Sequence, residues 1–367
     1  MPSSRRRILV LVKGLGIGGA ERLISEGARF WNRDDFDYSV AYVLPWKDQL
    51  VADVEKLGIE VDMIGDPGGL TLRTARRLRR LVADRGVDLV HAHLPTMGIM
   101  ARVVSQVPVV YTEHNLTHSY RAPTRIASWL TYRGNDALIA VSDAVAETVS
   151  SWPGPDPFVI PNGVACTVTQ EEIDAARDEL GLGRDAELVA HVGNIRPGKG
   201  HDMLIDAAKD LIDRRPEVTV VSIGVEKHPG DLERVRRRAD EAGLGDHLRF
   251  LGRRTDALSF VAAADVFVNP SEIEGLPVAV LEAMALERPV VATAAGGVPT
   301  IVRDGETGLL VEPGDPLSLT KAIERVLDDD ELATRLAAAA RKLVEADFGL
   351  APMVEATEAV YRQVLGD

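Results

Sequence analysis

Short apolar runs alternate with amphipathic helical patterns along the whole chain. The runs that read as strands are Ile8–Val12, Tyr38–Val43, Glu60–Ile64, Leu89–Ala92, Val109–Thr112, Ala137–Val141 and Phe158–Ile160. A second series follows at Leu188–Val192, Val218–Ile223, Leu248–Leu251, Val266–Asn269, Val290–Thr293 and Gly308–Val311. Between most strands of the first series lie helical stretches such as Gly19–Trp31, Leu72–Asp84 and Val141–Ser150. Such alternation predicts α/β architecture, with parallel sheets covered by helices on both faces. Two series predict two doubly wound domains, each binding at the carboxyl ends of its strands.

The expected boundary is Ile160-Pro-Asn-Gly-Val164 and the acidic segment after it, to about Asp185. That places one domain at residues 1–165 and the other at 166–349. Beyond Asp315 the pattern is helical only, ending with Pro352–Leu365. No internal repeat or low-complexity stretch is visible.

Length agrees with two cores, since 367 residues exceed the usual single-core size. The net charge of −14 is unevenly spread: residues 1–165 hold 19 basic and 18 acidic side chains, and 166–367 hold 23 and 38. That balance argues against a nucleic-acid binder, which needs a basic footprint. Cys166 is the only cysteine, so an intrachain disulfide and a cysteine-based zinc site are excluded. Lys13 interrupts the first apolar run too early for a signal peptide, and no apolar stretch is long enough to span a bilayer. The expected location is the cytoplasm, with peripheral contact to the inner face of the plasma membrane as one option.

Chemistry concentrates at the predicted strand ends. Glu274 and Glu282, in Glu274-Gly-Leu-Pro-Val-Ala-Val-Leu-Glu282, follow the strand Val266–Asn269. Pro277 suits the first turn of a helix running over Val278–Leu286. A helix start favours phosphate, and acids beside it are placed to accept hydrogen bonds from sugar and ribose hydroxyls. Arg196 and Lys199 lie in the glycine-rich loop Gly193–Gly200, where cations neutralise a departing diphosphate; the plainer alternative is a solvated loop. The loop Lys13-Gly-Leu-Gly-Ile-Gly-Gly-Ala-Glu21 matches a dinucleotide spacing, but no acid follows the second strand to grip a ribose. The plainer alternative for that loop is a tight turn.

His114 closes a buried strand, where it is either catalytic or simply structural. His91 and His93 alternate on one strand and face one side, with no third metal ligand at convincing spacing. Asp35-Phe-Asp37 has the spacing of a metal-binding acid pair, yet its Asp-rich surroundings read as a polar turn. Arg73, Arg76, Arg77, Arg79 and Arg80 cover a helix whose leucines are expected to pack inward; a basic face for anionic lipid is the alternative.

In their order along the chain these motifs resemble the family 4 glycosyltransferases. The resemblance rests on Gly18-Gly-Ala-Glu21, His91-Ala-His93, Thr112-Glu-His114, Val141-Ser142 and Ile160-Pro-Asn-Gly-Val164. It continues through Gly193–Gly200, Asn269-Pro-Ser-Glu-Ile-Glu-Gly-Leu-Pro277, Ala295-Gly-Gly-Val-Pro299 and Asp304-Gly-Glu-Thr-Gly-Leu-Leu310. It implies the GT-B fold, two Rossmann-like domains facing across a cleft, with the last helix, about 350–367, crossing back onto the first domain. It also implies retention of configuration by same-face attack, without a metal or other cofactor.

The same resemblance assigns roles. Glu282 would bind the ribose of a nucleoside diphosphate sugar, and Glu274 the donor sugar, helped by the backbone at Gly275 and Leu276. Arg196 and Lys199 would stabilise the diphosphate, and His114 would touch the sugar near the reacting carbon. Gly16, Gly18 and Gly19 would lie near the phosphates and the acceptor, which is a glycan, a lipid-linked molecule or a small molecule. Three departures stand out: Asn194 where an arginine is common, Gly224–Gly230 where relatives often read Gly-x-Gly-Pro, and Thr300 in place of a glutamate. Competing readings are a nucleotide-sugar epimerase or phosphorylase on the same fold, and an inactive nucleotide-sugar-binding module.

Overall fold

The computed structural model describes residues 5–16, 18–66, 71–183 and 186–367. Ile17 of the glycine loop and Asp185 at the expected end of the linker lie outside them. The first sheet contains β1 (Arg6–Val12), β2 (Phe36–Tyr42), β3 (Glu60–Met63), β4 (Leu89–His93), β5 (Val109–Glu113), β6 (Ala137–Ala140) and β7 (Pro157–Val159). The second contains β8 (Leu188–Val192), β9 (Thr219–Ile223), β10 (Leu248–Gly252), β11 (Val266–Asn269), β12 (Val290–Thr293) and β13 (Leu309–Val311). All pairings between these strands are parallel, in the orders β3-β2-β1-β4-β5-β6-β7 and β10-β9-β8-β11-β12-β13. Strand order therefore reverses between β1 and β4, and again between β8 and β11. Ligands of such sheets bind beyond the carboxyl ends at these points.

Both faces of each sheet are covered, which explains the continuous apolar runs. In β1, Ile8, Val10 and Val12 enter one core layer and Leu9 and Leu11 the opposite one. The second unit has its own core, built on Val189, Leu204, Val220 and Val268. The chain divides into one unit reaching to Gly163 that also includes Gly349–Asp367, and a second at Val164–Phe348.

The last helix, Leu350–Leu365, belongs to the first unit and starts two residues before the expected Pro352. Its Val360 and Tyr361 share a core layer with Ile8, Val10 and Val40. Its buried Glu358 accepts hydrogen bonds from Tyr38 Oη at 2.7 Å and Asn32 N at 2.8 Å. Asp367 beyond it receives Arg6 Nε at 2.8 Å.

Several boundaries shift for local reasons. The first helix is α-helical only over Gly19–Gly27 and tightens to a 3₁₀ turn at Ala28–Phe30. The helix expected at Val141–Ser150 occupies Asp143–Val149, because the Ser142 hydroxyl caps it by accepting from Val145 N. Thr71 caps Leu72–Asp84 in the same way. That helix turns its apolar residues inward as expected at Leu78, Leu81 and Val82, and departs from the expectation at Leu72, which is 79% exposed. Asp35 sits in the polar turn expected there, with Asn32 Oδ1 accepting from Asp34 N and Asp35 N, and pairs with Arg362 at 3.1 Å.

Candidate functional site

In the second unit the exits of β8 and β11 are stitched together by backbone. Gly198 O accepts from Glu272 N at 3.0 Å and Ile273 N at 3.3 Å. Gly198 and Gly200 have φ of +82° and +68°, a region that favours glycine. A Cβ on Gly200 would lie 1.9 Å from Pro270 O, so the approach itself demands glycine there. This close passage brings Lys199 Nζ to 2.7 Å from Glu274 Oε1. The two side chains are 18% and 8% exposed. Glu274 is held from behind as well, since its carbonyl accepts from Gly297 N at 3.3 Å.

Polar groups beneath the connection fix its start. Ser271 Oγ donates to Asn269 Oδ1 at 2.8 Å, and Thr293 Oγ1 donates to the carbonyls of Asn269 and Ser271. The helix then occupies Val278–Ala285. Pro277 is its N-cap residue rather than part of its first turn, and Leu286 its C-cap. Glu282 sits on this helix and is buried, as is Leu276 in the loop before it. A carboxylate is kept in such a place only where hydrogen bonds or charge offset its desolvation. Arg196 differs from Lys199: among the described residues its guanidinium donates only to the neighbouring Pro197 O, at 3.3 Å.

The altered loop Gly224–Gly230 supports the cation loop. Ile195 N donates to Val225 O at 2.9 Å and Lys227 N donates to Ile195 O at 3.0 Å, extending the β8–β9 pairing past the strand ends. A Cβ on Gly224 would meet Gly193 O at 2.0 Å. Below the loop, His191 Nδ1 lies 3.0 Å from Ser222 Oγ, and the His191 and His201 rings meet edge to face at 5.0 Å. Burial holds His201 down to about 4 and His191 well below the ordinary histidine range, so both are neutral.

In the first unit, His114 follows β5 and its Nε2 lies 3.0 Å from His93 Nδ1 at the end of β4. Burial lowers the His114 pKa to about 4 and that of His93 well below 6.5. Both rings are neutral, and one nitrogen of the pair donates to the other. His91 lies beside them, its ring 4.1 Å from that of His93. Its Nδ1 is 2.5 Å from Tyr361 Oη and its Nε2 2.7 Å from Thr112 Oγ1. Both nitrogens are thus committed within the protein, and among the described residues no three histidine, cysteine or acidic groups converge on a metal position. Leu94, next to His93, has φ of +71°, and this strained residue turns the chain sharply into the helix Pro95–Val104. His114, His93 and Tyr361 line a cavity of about 60 Å³ with Trp31, Asn162 and Thr357.

The glycine loop after β1 is bonded to the loop after β2. Leu15 N donates to Lys47 O at 2.7 Å and Leu50 N donates to Leu15 O at 2.9 Å. A Cβ on Gly16 would come within 3.1 Å of Gln49 Oε1, and one on Gly18 within 2.4 Å of Glu21 Oε2. Gly19 opens the helix Gly19–Gly27. Sequence reasoning missed His93 as the partner of His114, and Glu358 and Tyr361 as polar residues beneath that site. The alternation His91-Ala-His93 was the available signal for the first.

Residues 172–343 match the family described as glycosyl transferases group 1, and residues 17–168 match glycosyltransferase family 4. A D-inositol 3-phosphate glycosyltransferase of Thermomonospora curvata is 30% identical across 88% of this chain and 83% of its own length. The chain belongs to the group 1 glycosyltransferases. A lipopolysaccharide core biosynthesis mannosyltransferase of Rhizobium leguminosarum bv. viciae is 31% identical to this glycosyltransferase, across 87% of this chain and 92% of its own. The crystal structure of Anabaena Alr3699/HepE in complex with UDP and glucose covers 98% of the chain and matches in full length. Its TM-score of 0.86 at 24% identity establishes the GT-B fold of this glycosyltransferase.

Proposed function

We propose that the protein moves a sugar from a nucleoside diphosphate sugar to a hydroxyl of a glycan, lipid-linked or small-molecule acceptor, retaining the anomeric configuration. The observation that carries this reading is the buried Lys199–Glu274 pair at the carboxyl ends of β8 and β11. One ammonium has three N–H groups, so Lys199 can keep Glu274 and still donate to a diphosphate oxygen. Glu274 has a second oxygen for a sugar hydroxyl, and the buried Glu282 accepts from the ribose. Arg196, with only a weak contact to its own loop, is free to swing onto the diphosphate. The UDP held by the Anabaena relative supports a nucleoside diphosphate as the carrier.

In the reaction, the bond from the anomeric carbon to the phosphate oxygen breaks on the face where the acceptor oxygen bonds. The acceptor proton passes to the departing phosphate oxygen. Lys199 and Arg196 supply the positive charge at that phosphate, so no metal is called for. His114, neutral and oriented by His93, offers hydrogen bonding beside the reacting carbon without adding charge.

Transfer assays on Glu282→Ala and Lys199→Ala test the reading. Each should abolish transfer in a folded protein, and unchanged turnover in both would sink it. Turnover in chelator should equal that in untreated enzyme, and the product should carry the donor's anomeric configuration. An epimerised donor formed without acceptor would favour the epimerase instead.

A further inference from the structure

The helix Ala122–Thr131 is turned inside out. Its only buried residue is Ser128, and it is held to the helix Pro95–Val104 by polar contacts. Arg102 Nη2 donates to Ser128 Oγ at 3.2 Å and Arg102 Nε donates to Thr131 Oγ1 at 3.1 Å. The apolar side faces outward: Ile126, Trp129 and Leu130, spaced three and four apart, are 58%, 47% and 66% exposed. In a soluble helix the polarity runs the other way.

Arginines border this apolar patch. Arg121, Arg125 and Arg133 are exposed on and just beyond the same helix. The helix Pro95–Val104 touches it on one side and the arginine helix Leu72–Asp84 on the other, and it adds the exposed Val103. On the arginine helix Arg77 is occupied by Asp66 at 2.9 Å. Arg73, Arg76 and Arg80 form an exposed stripe there, and Leu72 at the helix start is also exposed. Asp84, at the far end of the arginine helix, is the single acid in the three helices.

A basic, nearly acid-free face stands out on a chain whose net charge is −14. Its apolar centre with a cationic border matches the interface of an anionic membrane, where Trp and Leu enter the headgroup region and arginines meet phosphates. Nucleic acid would use the arginines but leave Ile126 and Leu130 without a role. We propose that this face of the first unit docks on an anionic lipid bilayer, with Ile126, Trp129 and Leu130 entering the interface and the arginines binding lipid phosphates. The helix begins eight residues after His114, so the docked surface adjoins the segment leading from the candidate site. Docking stands apart from the transfer reading, because its assay needs neither donor nor acceptor.

The test is flotation of the full-length protein with vesicles of phosphatidylcholine alone and of phosphatidylcholine mixed with phosphatidylglycerol. The protein should float with the mixed vesicles at low salt and stay behind with the neutral ones. The double variant Trp129→Ser/Leu130→Ser should lower partition about tenfold, as should Arg73→Glu/Arg76→Glu. All four side chains are exposed, so thermal midpoints should be unchanged, which separates lost docking from misfolding. No binding to the mixed vesicles, equal binding to both compositions, or binding that survives both double variants would overturn the proposal. So would a concentration-dependent dimer without vesicle binding that Trp129→Ser abolishes, or retention on RNA without vesicle binding.

Discussion

Lys199 Nζ and Glu274 Oε1 are 2.7 Å apart across 75 residues of sequence, and each side chain is the other's counter-charge in a largely buried setting. Removing one member strands a charge away from water, which typically costs about 3–5 kcal/mol, while replacing both with apolar groups is close to neutral. The double variant Lys199→Met/Glu274→Leu should therefore melt higher than either Lys199→Met or Glu274→Leu alone. All three should lose transfer. Additive losses in thermal midpoint would contradict the coupling.

Stability should fall as the solution is acidified below neutrality. His91, His93, His114, His191 and His201 all have folded pKa values depressed by burial, to about 3 for His91 and about 4 for His114 and His201. A depressed histidine contributes stability that is complete above the unfolded value of 6.5 and is lost as pH falls towards the folded value. Each costs about 1.4 kcal/mol per pH unit in that window. Urea titrations between pH 7.5 and 4.5 should show a steep decline, and a flat profile would mean that these rings are hydrated.

Glu113 has the opposite sign. It is fully buried beneath Tyr120, which donates to its Oε1, and burial raises its pKa from 4.5 to about 7. Its contribution is complete below 4.5 and is lost as pH rises through 7. Glu113→Gln keeps an acceptor for Tyr120 without the charge. It should stabilise the protein at pH 8 by on the order of 3 kcal/mol and change little at pH 4.5. Equal effects at both values would rule out burial of the anion as the cause.

Gly200→Ala should damage the donor loop specifically. A methyl group would meet Pro270 O, a backbone atom with no freedom to rotate away, at a φ of +68° that disfavours alanine. The loop must move, carrying Lys199 with it. We expect a loss of about 1–3 kcal/mol in stability and a larger relative rise in donor KM. Gly181→Ala is the control: its φ is also +68°, but a Cβ there meets nothing within 4 Å. It should leave KM unchanged.

The sheets were legible because strands covered on both faces are apolar nearly throughout, as in Ile8–Val12 and Val266–Val268. Lys199 and Glu274 were legible as chemistry because both fall just past such strands. Their pairing was not, since it depends on how closely β8 and β11 exit side by side, a distance that neither segment encodes alone. The same holds for His93 and His114, at the ends of neighbouring strands and 21 residues apart. The helix Ala122–Thr131 was not read from the sequence, and its direction depends on a neighbour: Arg102 on another helix turns the polar side inward. Leu72 fell to a similar limit, because its spacing fits the buried stripe while its place at the helix start leaves it outside.

The first unit draws one core from segments on either side of the second unit, with Val10 and Tyr361 in the same layer. The second unit is a single uninterrupted stretch, Val164–Phe348. A ribosome therefore releases every residue of the second unit before the last piece of the first, reversing the usual amino-to-carboxyl order in which domains are completed during synthesis. Until Tyr361 emerges, His91 Nδ1 lacks its hydrogen-bond partner and the β1 face lacks the part of its cover that Val360 and Tyr361 supply.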